Sequence, residues 1–260
     1  MRELNEILEE VRGRIAAACV RVGRDPSEVE IIAVTKTHGA EVVNEAWAAG
    51  LTIVGENKVQ EAMWKQAEAV GGPSWHLIGH LQGNKVRQAL ETFDCIHSVD
   101  SVKLIRRIEN VAEMTGASPR ILLEVNVSGE KSKTGMPLKD VRSAVECVLA
   151  EGRRITLEGL MTMAPFSEKA EDARPYFRRL RELRDELERE YNLVLPRLSM
   201  GMSGDYEVAV EEGATWLRLG TVLFGERPKL KRQNVFGDDD CAAAGLDSYS
   251  GAGPTFKILD

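Results

Sequence analysis

The sequence predicts a single α/β domain, a closed (β/α)8 barrel with one extra helix at its N-terminus. Short apolar segments alternate eight times with helical segments, which is the pattern of parallel strands joined by helices. The eight units occupy about 225 residues, the size of a closed barrel of this kind. No low-complexity linker divides residues 1–225, so one domain is predicted. An open, doubly wound sheet is the alternative, because periodicity alone does not distinguish it from a barrel.

The helices are predicted from apolar residues spaced by three or four positions and from glycines at their ends. The N-terminal helix covers residues 2–22, where this spacing is regular, and Gly23 ends it. The other helices are predicted over 40–49, 58–70, 83–91, 101–114, 138–150, 169–191 and 205–212. Each of them lies between two apolar segments, as the crossover helices of a parallel sheet do.

The strands are predicted from short apolar runs, as expected for strands that are covered on both faces. They lie at 31–34, 51–54, 75–78, 95–98, 121–127, 155–160, 195–199 and 215–219. Many of these runs end in polar residues or glycine. In a barrel, the carboxyl ends of the strands meet on the face that carries function.

Composition and charge restrict the class of protein. Of the 260 residues, 43% are hydrophobic and 29% are charged, which is typical of a globular protein. The net charge of −7 argues against a nucleic-acid binder, and the uncharged stretches are too short to span a membrane. The N-terminus is charged, which argues against a secretory signal. The four cysteines form no CxxC pair, which indicates a reducing compartment and no metal site.

We therefore expect a cytoplasmic protein with a barrel domain over residues 1–230. Residues 231–260 are rich in Gly, Ala, Ser and Asp and have little periodic apolar content. Such a segment cannot bury enough apolar surface to form a core. A flexible C-terminal tail is predicted there.

A lysine follows the first predicted strand directly. Lys36 comes after 31–34 and Thr35, and it is followed by Thr37 and His38. Burial at a strand end would lower the pKa of the lysine amine, and a neutral amine is nucleophilic toward an aldehyde. A solvent-exposed lysine at a strand end is the alternative, and this stretch alone favours it.

Two loops have the composition of an anion site. The loop after the seventh strand contains Ser203 and Gly204, and the eighth strand is followed by Gly220 and Thr221. Backbone amides and hydroxyls in such loops can converge on a phosphate, and barrels commonly hold a phosphate after strands 7 and 8. Each loop alone could be an ordinary turn, but two at neighbouring strands favour a phosphate site.

Arg218 lies inside the eighth strand between two leucines, so its charge requires a partner. It could form a structural ion pair with Glu124 or Glu158, or it could face the nitrogen of a heteroaromatic ring. A nucleophilic lysine, a phosphate site and an arginine beside a ring together describe a site for pyridoxal 5′-phosphate (PLP). An arginine would keep the ring nitrogen unprotonated, and such a site stabilises carbanions poorly.

The segments around these residues resemble the PLP homeostasis proteins, the YggS/PROSC family, which is related to the N-terminal barrel of alanine racemase. The resemblance is carried by residues 33–38, 54–61, 75–85, 125–135, 159–161, 198–205 and 218–225. They span nearly all of the predicted barrel, and several are long and distinctive. The resemblance implies a TIM barrel of the type III class of PLP-binding folds.

The resemblance also implies roles for individual residues. Lys36 would be the Schiff-base lysine, and Arg218 would face the pyridine nitrogen. Lys133 matches a family lysine proposed as a second PLP acceptor, and an ordinary loop lysine is its alternative. The phosphate would contact Ser203, Gly204, Gly220 and Thr221, and the cofactor would be lined by Asn57, Met161, Ser199 and Met200. The implied partners are PLP and apo PLP-dependent enzymes, with neither nucleic acid nor membrane, and the chain is expected to be a monomer.

The relation to alanine racemase raises a second hypothesis, a PLP-dependent amino-acid racemase of weak activity. Racemisation needs two acid–base groups on opposite faces of the α-carbon. Lys36 could serve one face, but the matching tyrosine of alanine racemases comes from a second domain, and only residues 226–260 follow Gly225 here. His38 and His80 are candidate bases. The alternative for each is that it only hydrogen-bonds to residues that line the site.

We therefore predict that the chain is a carrier and regulator of PLP without robust turnover. Lys36 would capture PLP reversibly and release it to apo-enzymes. A phosphosugar enzyme with Lys36 as an aldolase-type nucleophile is a third hypothesis, which the long matching segments disfavour.

Overall fold

The computed structural model describes residues 3–130 and 133–226, which contain nine strands and nine α-helices. The strands are β1 (Glu30–Val34), β2 (Ile53–Glu56), β3 (Ser74–Leu77), β4 (Cys95–Val99), β5 (Arg120–Asn126), β6 (Met136–Pro137), β7 (Thr156–Met161), β8 (Arg197–Ser199) and β9 (Trp216–Leu219). The α-helices are α1 (Leu4–Val22), α2 (Ala40–Ala48), α3 (Val59–Glu68), α4 (Val86–Thr92), α5 (Val102–Thr115), α6 (Val141–Glu151), α7 (Arg174–Tyr191), α8 (Tyr206–Glu211) and α9 (Thr221–Phe224).

Eight of the strands close into a barrel. Their pairings are parallel, and the order round the ring is β4, β3, β2, β1, β9, β8, β7 and β5, with β5 pairing back to β4. The first strand therefore lies beside the last, with Ile32 opposite Arg218. The two-residue strand β6 stands outside the ring, beside the end of β5. This topology confirms the predicted barrel with its extra helix α1, and it excludes the open sheet.

The barrel separates two apolar layers. Outside the strands, helices bury their apolar faces, as α7 does with Phe177, Leu180 and Leu187. Inside the barrel, a separate apolar cluster consists of Ile32, Ile53, Cys95, Leu122, Met161 and Trp216. Because both faces of each strand are covered, the strands read as continuous apolar runs in the sequence.

The extra helix α1 packs against α8. Leu8, Val11 and Ile15 are buried on its inner face, and Arg21 Nε lies 2.5 Å from Glu211 Oε1 on α8. Gly23 ends α1 in the left-handed region, with φ 69°, and its amide bonds to carbonyls of the last turn. The extra helix therefore supports the helix that follows the predicted phosphate loop.

The barrel strands lie within one residue of their predicted bounds except for β2 and β8, which differ by two residues. β2 continues through Gly55 and Glu56, because Gly55 is paired on both sides and the Glu56 carboxylate is bound by the buried Lys65. β8 begins only at Arg197, since Pro196 has no amide to donate to a neighbouring strand. The four-residue helix α9 after the last barrel strand was not predicted.

Other predictions concern membrane-spanning helices, the cysteines and the domain boundary. No helix among the described residues is both long and apolar enough to cross a membrane. Cys19, Cys95 and Cys147 are buried and free, as expected for core thiols. The predicted domain boundary near residue 230 and the predicted tail over 231–260 lie outside the described residues.

Candidate functional site

A cavity of about 660 Å³ opens at the carboxyl ends of the barrel strands. Its walls include Lys36 after β1, Asn57 after β2, and His80 after β3. Glu124 of β5 and Arg218 of β9 also line it. This is the face on which barrels carry their functional residues.

Most of the predicted site residues line this cavity together. They are Lys36, Asn57, Lys133, Ser203, Gly204, Arg218, Gly220 and Thr221. Three others lie outside the lining, and all three are fully buried. Met161 belongs to the apolar cluster inside the barrel, Ser199 bonds to Arg218 beneath the cavity, and Met200 packs in the layer between barrel and helices.

The loop that carries Lys36 has an unusual backbone. Lys36 itself is half-buried, and the next residue, Thr37, adopts a φ of 68°. Such a left-handed conformation costs a residue other than glycine about 1 to 3 kcal/mol. Backbone strain of this size is found where the surroundings hold a functional residue in place.

The two predicted phosphate loops are joined to each other. The backbone amide of Val222 donates a hydrogen bond to Ser203 Oγ over 3.1 Å, so the loop after β8 is held to the start of α9. Gly201 has a φ of 91°, and a Cβ there would lie 2.5 Å from Ala209 Cβ. Asp205 turns its carboxylate back to accept from the Met202 amide. The loops therefore leave small residues and a hydroxyl facing the cavity.

Arg218 is buried and bound by neutral acceptors. Its Nη1 donates to Ser199 Oγ over 2.8 Å, and its Nη2 donates to the Thr162 carbonyl over 2.9 Å. The suggested partner Glu158 instead lies 3.4 Å from Arg120. Burial lowers the pKa of Arg218 to about 10, although the negative charges of Asp205 and Glu124 act in the other direction and raise it. The guanidinium therefore stays charged at neutral pH, and it has five N–H donors of which these bonds use two.

Comparison with known proteins places this barrel in a family. The family model described as "Alanine racemase, N-terminal domain" matches residues 10–228. The pyridoxal phosphate homeostasis protein of Aquifex aeolicus is 46% identical over 224 residues, which cover 85% of this chain and 97% of that protein. The chain belongs to the pyridoxal phosphate homeostasis protein family.

Other members of the pyridoxal phosphate homeostasis protein family are similar over the same range. The protein of this name from Pseudomonas aeruginosa is 45% identical over 230 residues, covering 87% of this chain and 97% of its own length. A solved structure of PipY from Synechococcus elongatus with PLP bound has a TM-score of 0.71 and 40% identity. It covers 83% of this chain and 100% of its own.

A row of buried polar side chains continues from Arg218 into the barrel of this family member. Ser199 Oγ lies 2.9 Å from His97 Nδ1, and His97 Nε2 lies 3.0 Å from His76 Nδ1. Arginine has no acceptor, so Arg218 donates to Ser199 Oγ. Which nitrogen of His97 and of His76 carries the proton depends on the tautomer of each ring. We call Arg218, Ser199, His97 and His76 the polar row.

Sequence reasoning did not single out the two histidines of the polar row. The available signal is a histidine inside an apolar strand, at His76 in β3 and His97 in β4. Neither position reveals that the two rings lie 5.0 Å apart, or that His97 stacks on Trp216 at 5.0 Å. Those contacts depend on how the strands are arranged round the barrel.

The buried histidines make stability depend on pH. Burial lowers the pKa of His76 from 6.5 to about 3, and it lowers that of His97 well below 6.5. Below pH 6.5 and above the lowered pKa values of the folded state, the unfolded chain binds more protons at these histidines than the folded protein does. The free energy of unfolding therefore falls as the pH falls below 6.5. Between about pH 7.5 and about pH 5.5, the free energy of unfolding is expected to drop by about 2 to 3 kcal/mol.

This pH prediction is checked by urea unfolding of wild type and His97→Gln at both pH values. Removing one of the two histidines should reduce the pH-dependent loss to about half, whatever the absolute stability of the variant. An equal loss in both proteins would show that other groups are responsible.

The same histidines lie near a cysteine. One ligating atom each of His76, Cys95 and His97 falls within 4.8 Å of the others. The facing histidine nitrogens already bond to each other, and the charges of Arg120 and Arg197 oppose a cation at His76. Burial also raises the pKa of the Cys95 thiol far above its usual value, which disfavours the thiolate that a metal needs. We therefore assign His76 and His97 to the polar row and Cys95 to the apolar cluster inside the barrel, and we do not assign a metal site to them.

The remaining candidate bases lie at the cavity wall. His80 Nδ1 is 3.3 Å from Asp100 Oδ2, and the ring of His38 is 5.8 Å from that of Phe224. Tyr176, Tyr191 and Tyr206, the tyrosines of the described ranges, are not among the lining residues.

Proposed function

We propose that this chain binds PLP in the cavity above the barrel and acts in intracellular PLP homeostasis. One observation carries the proposal: Lys36, the buried guanidinium of Arg218 and both phosphate-type loops line a single cavity of about 660 Å³. PLP presents an aldehyde, a ring nitrogen and a phosphate, so each of its polar groups has a complementary wall. The PLP bound to PipY and the names of the relatives support the same proposal.

The residues of the cavity fit this cofactor. When bound, PLP supplies an aldehyde that an amine can capture reversibly as a Schiff base. Lys36 would hold the cofactor at the end of β1, while Ser203, Gly204, Gly220 and Thr221 would receive its phosphate. The cation of Arg218 would donate to the ring nitrogen and thereby keep that nitrogen unprotonated. Asn57 would contact the cofactor from the wall, and Met161, Ser199 and Met200 would support the site from behind.

We further propose a carrier rather than an enzyme of robust turnover. The second acid–base group that racemisation needs has no tyrosine candidate among the cavity-lining residues of the described ranges. Reversible capture at Lys36 would allow transfer of PLP to apo PLP-dependent enzymes by a monomeric, cytoplasmic protein. Lys133 also lines the cavity and could act as a second acceptor, with an ordinary loop lysine as the alternative.

The proposal is tested with the absorption spectrum of the protein loaded with PLP, before and after borohydride reduction. Wild type is expected to show a PLP band and to retain the cofactor covalently on Lys36, as located by peptide mass spectrometry. Lys36→Ala should lose covalent retention at this position, and Lys58→Ala, an exposed lysine outside the cavity lining, should retain it. A band that is unchanged in Lys36→Ala would contradict the assignment.

The same preparation tests the absence of robust turnover. After incubation with L-alanine in D2O, the α-proton is expected to remain unexchanged on the timescale of enzymatic racemisation. Rapid exchange that depends on Lys36 would instead establish the racemase hypothesis.

A further inference from the structure

An ion cluster with a buried pair, Lys65 and Glu56, and a partly exposed member, Glu61, lies directly beside the loop that carries Lys36. The side chain of Lys65, on α3, has no exposed surface. Its Nζ lies 2.6 Å from Glu56 Oε1 and 2.8 Å from Glu61 Oε1. Thr35 Oγ1 also donates to Glu56 Oε1, over 2.5 Å. Lys65, Glu56 and Glu61 are called the clamp below.

The clamp binds the backbone on both sides of Lys36. Lys65 Nζ donates to the carbonyl of Thr35, the preceding residue, over 2.8 Å. Glu61 Oε1 accepts from the amide of Thr37, the following residue, over 2.6 Å. Because one ammonium and one carboxylate on the same helix hold these two groups, the path of the chain through Lys36 is fixed.

The backbone at Thr37 explains why such bonds are needed. Its φ of 68° lies in the left-handed region, which is unfavourable for threonine. A hydrogen bond to a carboxylate is about twice as strong as one between neutral groups. The bond from Thr37 to Glu61 can therefore hold the loop in a conformation that its own sequence disfavours.

Stability alone does not account for a buried ion cluster. Well-packed apolar residues of similar volume commonly stabilise a core as much as a buried ion pair does, because charges lose their hydration on burial. Apolar residues could not bind the Thr35 carbonyl and the Thr37 amide at the same time. The specific consequence of the clamp is thus the direction in which Lys36 leaves the strand.

We propose that Lys65 and Glu61 are positioning residues that direct the Lys36 side chain into the cavity. This inference rests on the proposed function, in which Lys36 captures PLP. It assigns a role to two side chains that do not line the cavity themselves.

Glu61 offers a test that leaves the Lys65–Glu56 pair in place. Two ligands are compared: PLP, and pyridoxine 5′-phosphate, which has the ring nitrogen and phosphate but no aldehyde. Glu61→Ala is expected to weaken PLP binding by about tenfold to 100-fold, because a small misplacement of a reacting group has effects of this size. Binding of pyridoxine 5′-phosphate should change less than about twofold, because its contacts do not involve Lys36.

Two further variants complete the comparison. Glu61→Gln should recover part of the PLP affinity, since the carboxamide oxygen can still accept from Thr37 but through a weaker, uncharged bond. Glu68→Ala, an exposed position on the same helix, should bind both ligands as wild type does. Urea unfolding of each variant confirms that the folded protein is being measured.

Three outcomes would overturn the inference. If Glu61→Ala bound PLP as wild type does, and wild type captured PLP normally, the positioning role of the clamp would be contradicted and the proposed function would not. An equal loss of both ligands would show a general structural role. Failure of wild type to capture PLP would remove the proposed function, and this inference with it.

Discussion

Replacing Lys65 by methionine is expected to lower the free energy of unfolding by about 3 to 5 kcal/mol. The loss arises because the Glu56 carboxylate, which has no exposed surface, would be left without its cation. One of its oxygens, Oε2, already has no hydrogen-bond partner. Burial raises the pKa of Glu56, and Lys65 opposes that rise. Without the ammonium, Glu56 would take up a proton more readily, so the deficit should be smaller at acidic pH.

Urea unfolding at neutral pH measures this effect. The double variant Lys65→Met with Glu56→Gln should recover part of the loss, because no uncompensated charge then remains in the core. Lys58→Met, an exposed residue just before α3, should change stability by less than about 0.5 kcal/mol. If Lys65→Met were as stable as this control, the pairing of Lys65 with Glu56 would make no net contribution to the free energy of unfolding.

Arg218→Gln is expected to weaken PLP binding by about 10- to 150-fold. This range corresponds to the loss of the proposed charged hydrogen bond between the guanidinium and the ring nitrogen, which is expected to contribute about 1.5 to 3 kcal/mol. In contrast to Glu61→Ala, the variant should weaken pyridoxine 5′-phosphate as much as PLP, because both ligands have the same ring nitrogen. Equilibrium titration followed by absorbance or fluorescence provides the two dissociation constants.

Arg197→Gln is the matched control for Arg218→Gln. Arg197 lies on the neighbouring strand β8, where its Nη1 is 2.7 Å from Glu30 Oε2, and it is not among the cavity-lining residues. Its removal should leave the affinity for both ligands within about twofold of wild type. If Arg218→Gln bound PLP as tightly as wild type, Arg218 would be a structural residue of the polar row only.

Much of the fold follows from local patterns in the sequence. Apolar runs of five or so residues, separated by helices with glycine ends, are sufficient to predict eight parallel strands. The closure of the ring is not a local property. It depends on the pairing of β4 with β5 and of β1 with β9, and neither pairing leaves a periodic signal. Glu56 illustrates the same limit, because its place inside β2 requires a buried lysine from α3.

The residues of the candidate site also differ in whether local sequence patterns can predict them. Lys36, Ser203 and Thr221 could be predicted because polar residues at strand ends must meet on one face of a barrel. The polar row and the clamp could not be predicted, since each joins residues from separate strands and helices. His97 of β4 and Ser199 of β8, for example, are three strands apart round the ring and meet across its interior. Such contacts are fixed only by the three-dimensional arrangement.

The neighbourhood of β1 and β9 has a consequence for biosynthesis. Lys36 is among the first residues of the barrel to leave the ribosome, whereas Arg218 and Thr221 are among the last. A nascent chain that stops before Trp216 has the Lys36 amine but neither the Arg218 guanidinium nor the second predicted phosphate loop, and its ring cannot close through the pairing of Ile32 with Arg218. Retention of the cofactor would therefore report that synthesis of the barrel is complete, and cofactor captured by truncated chains should be lost readily.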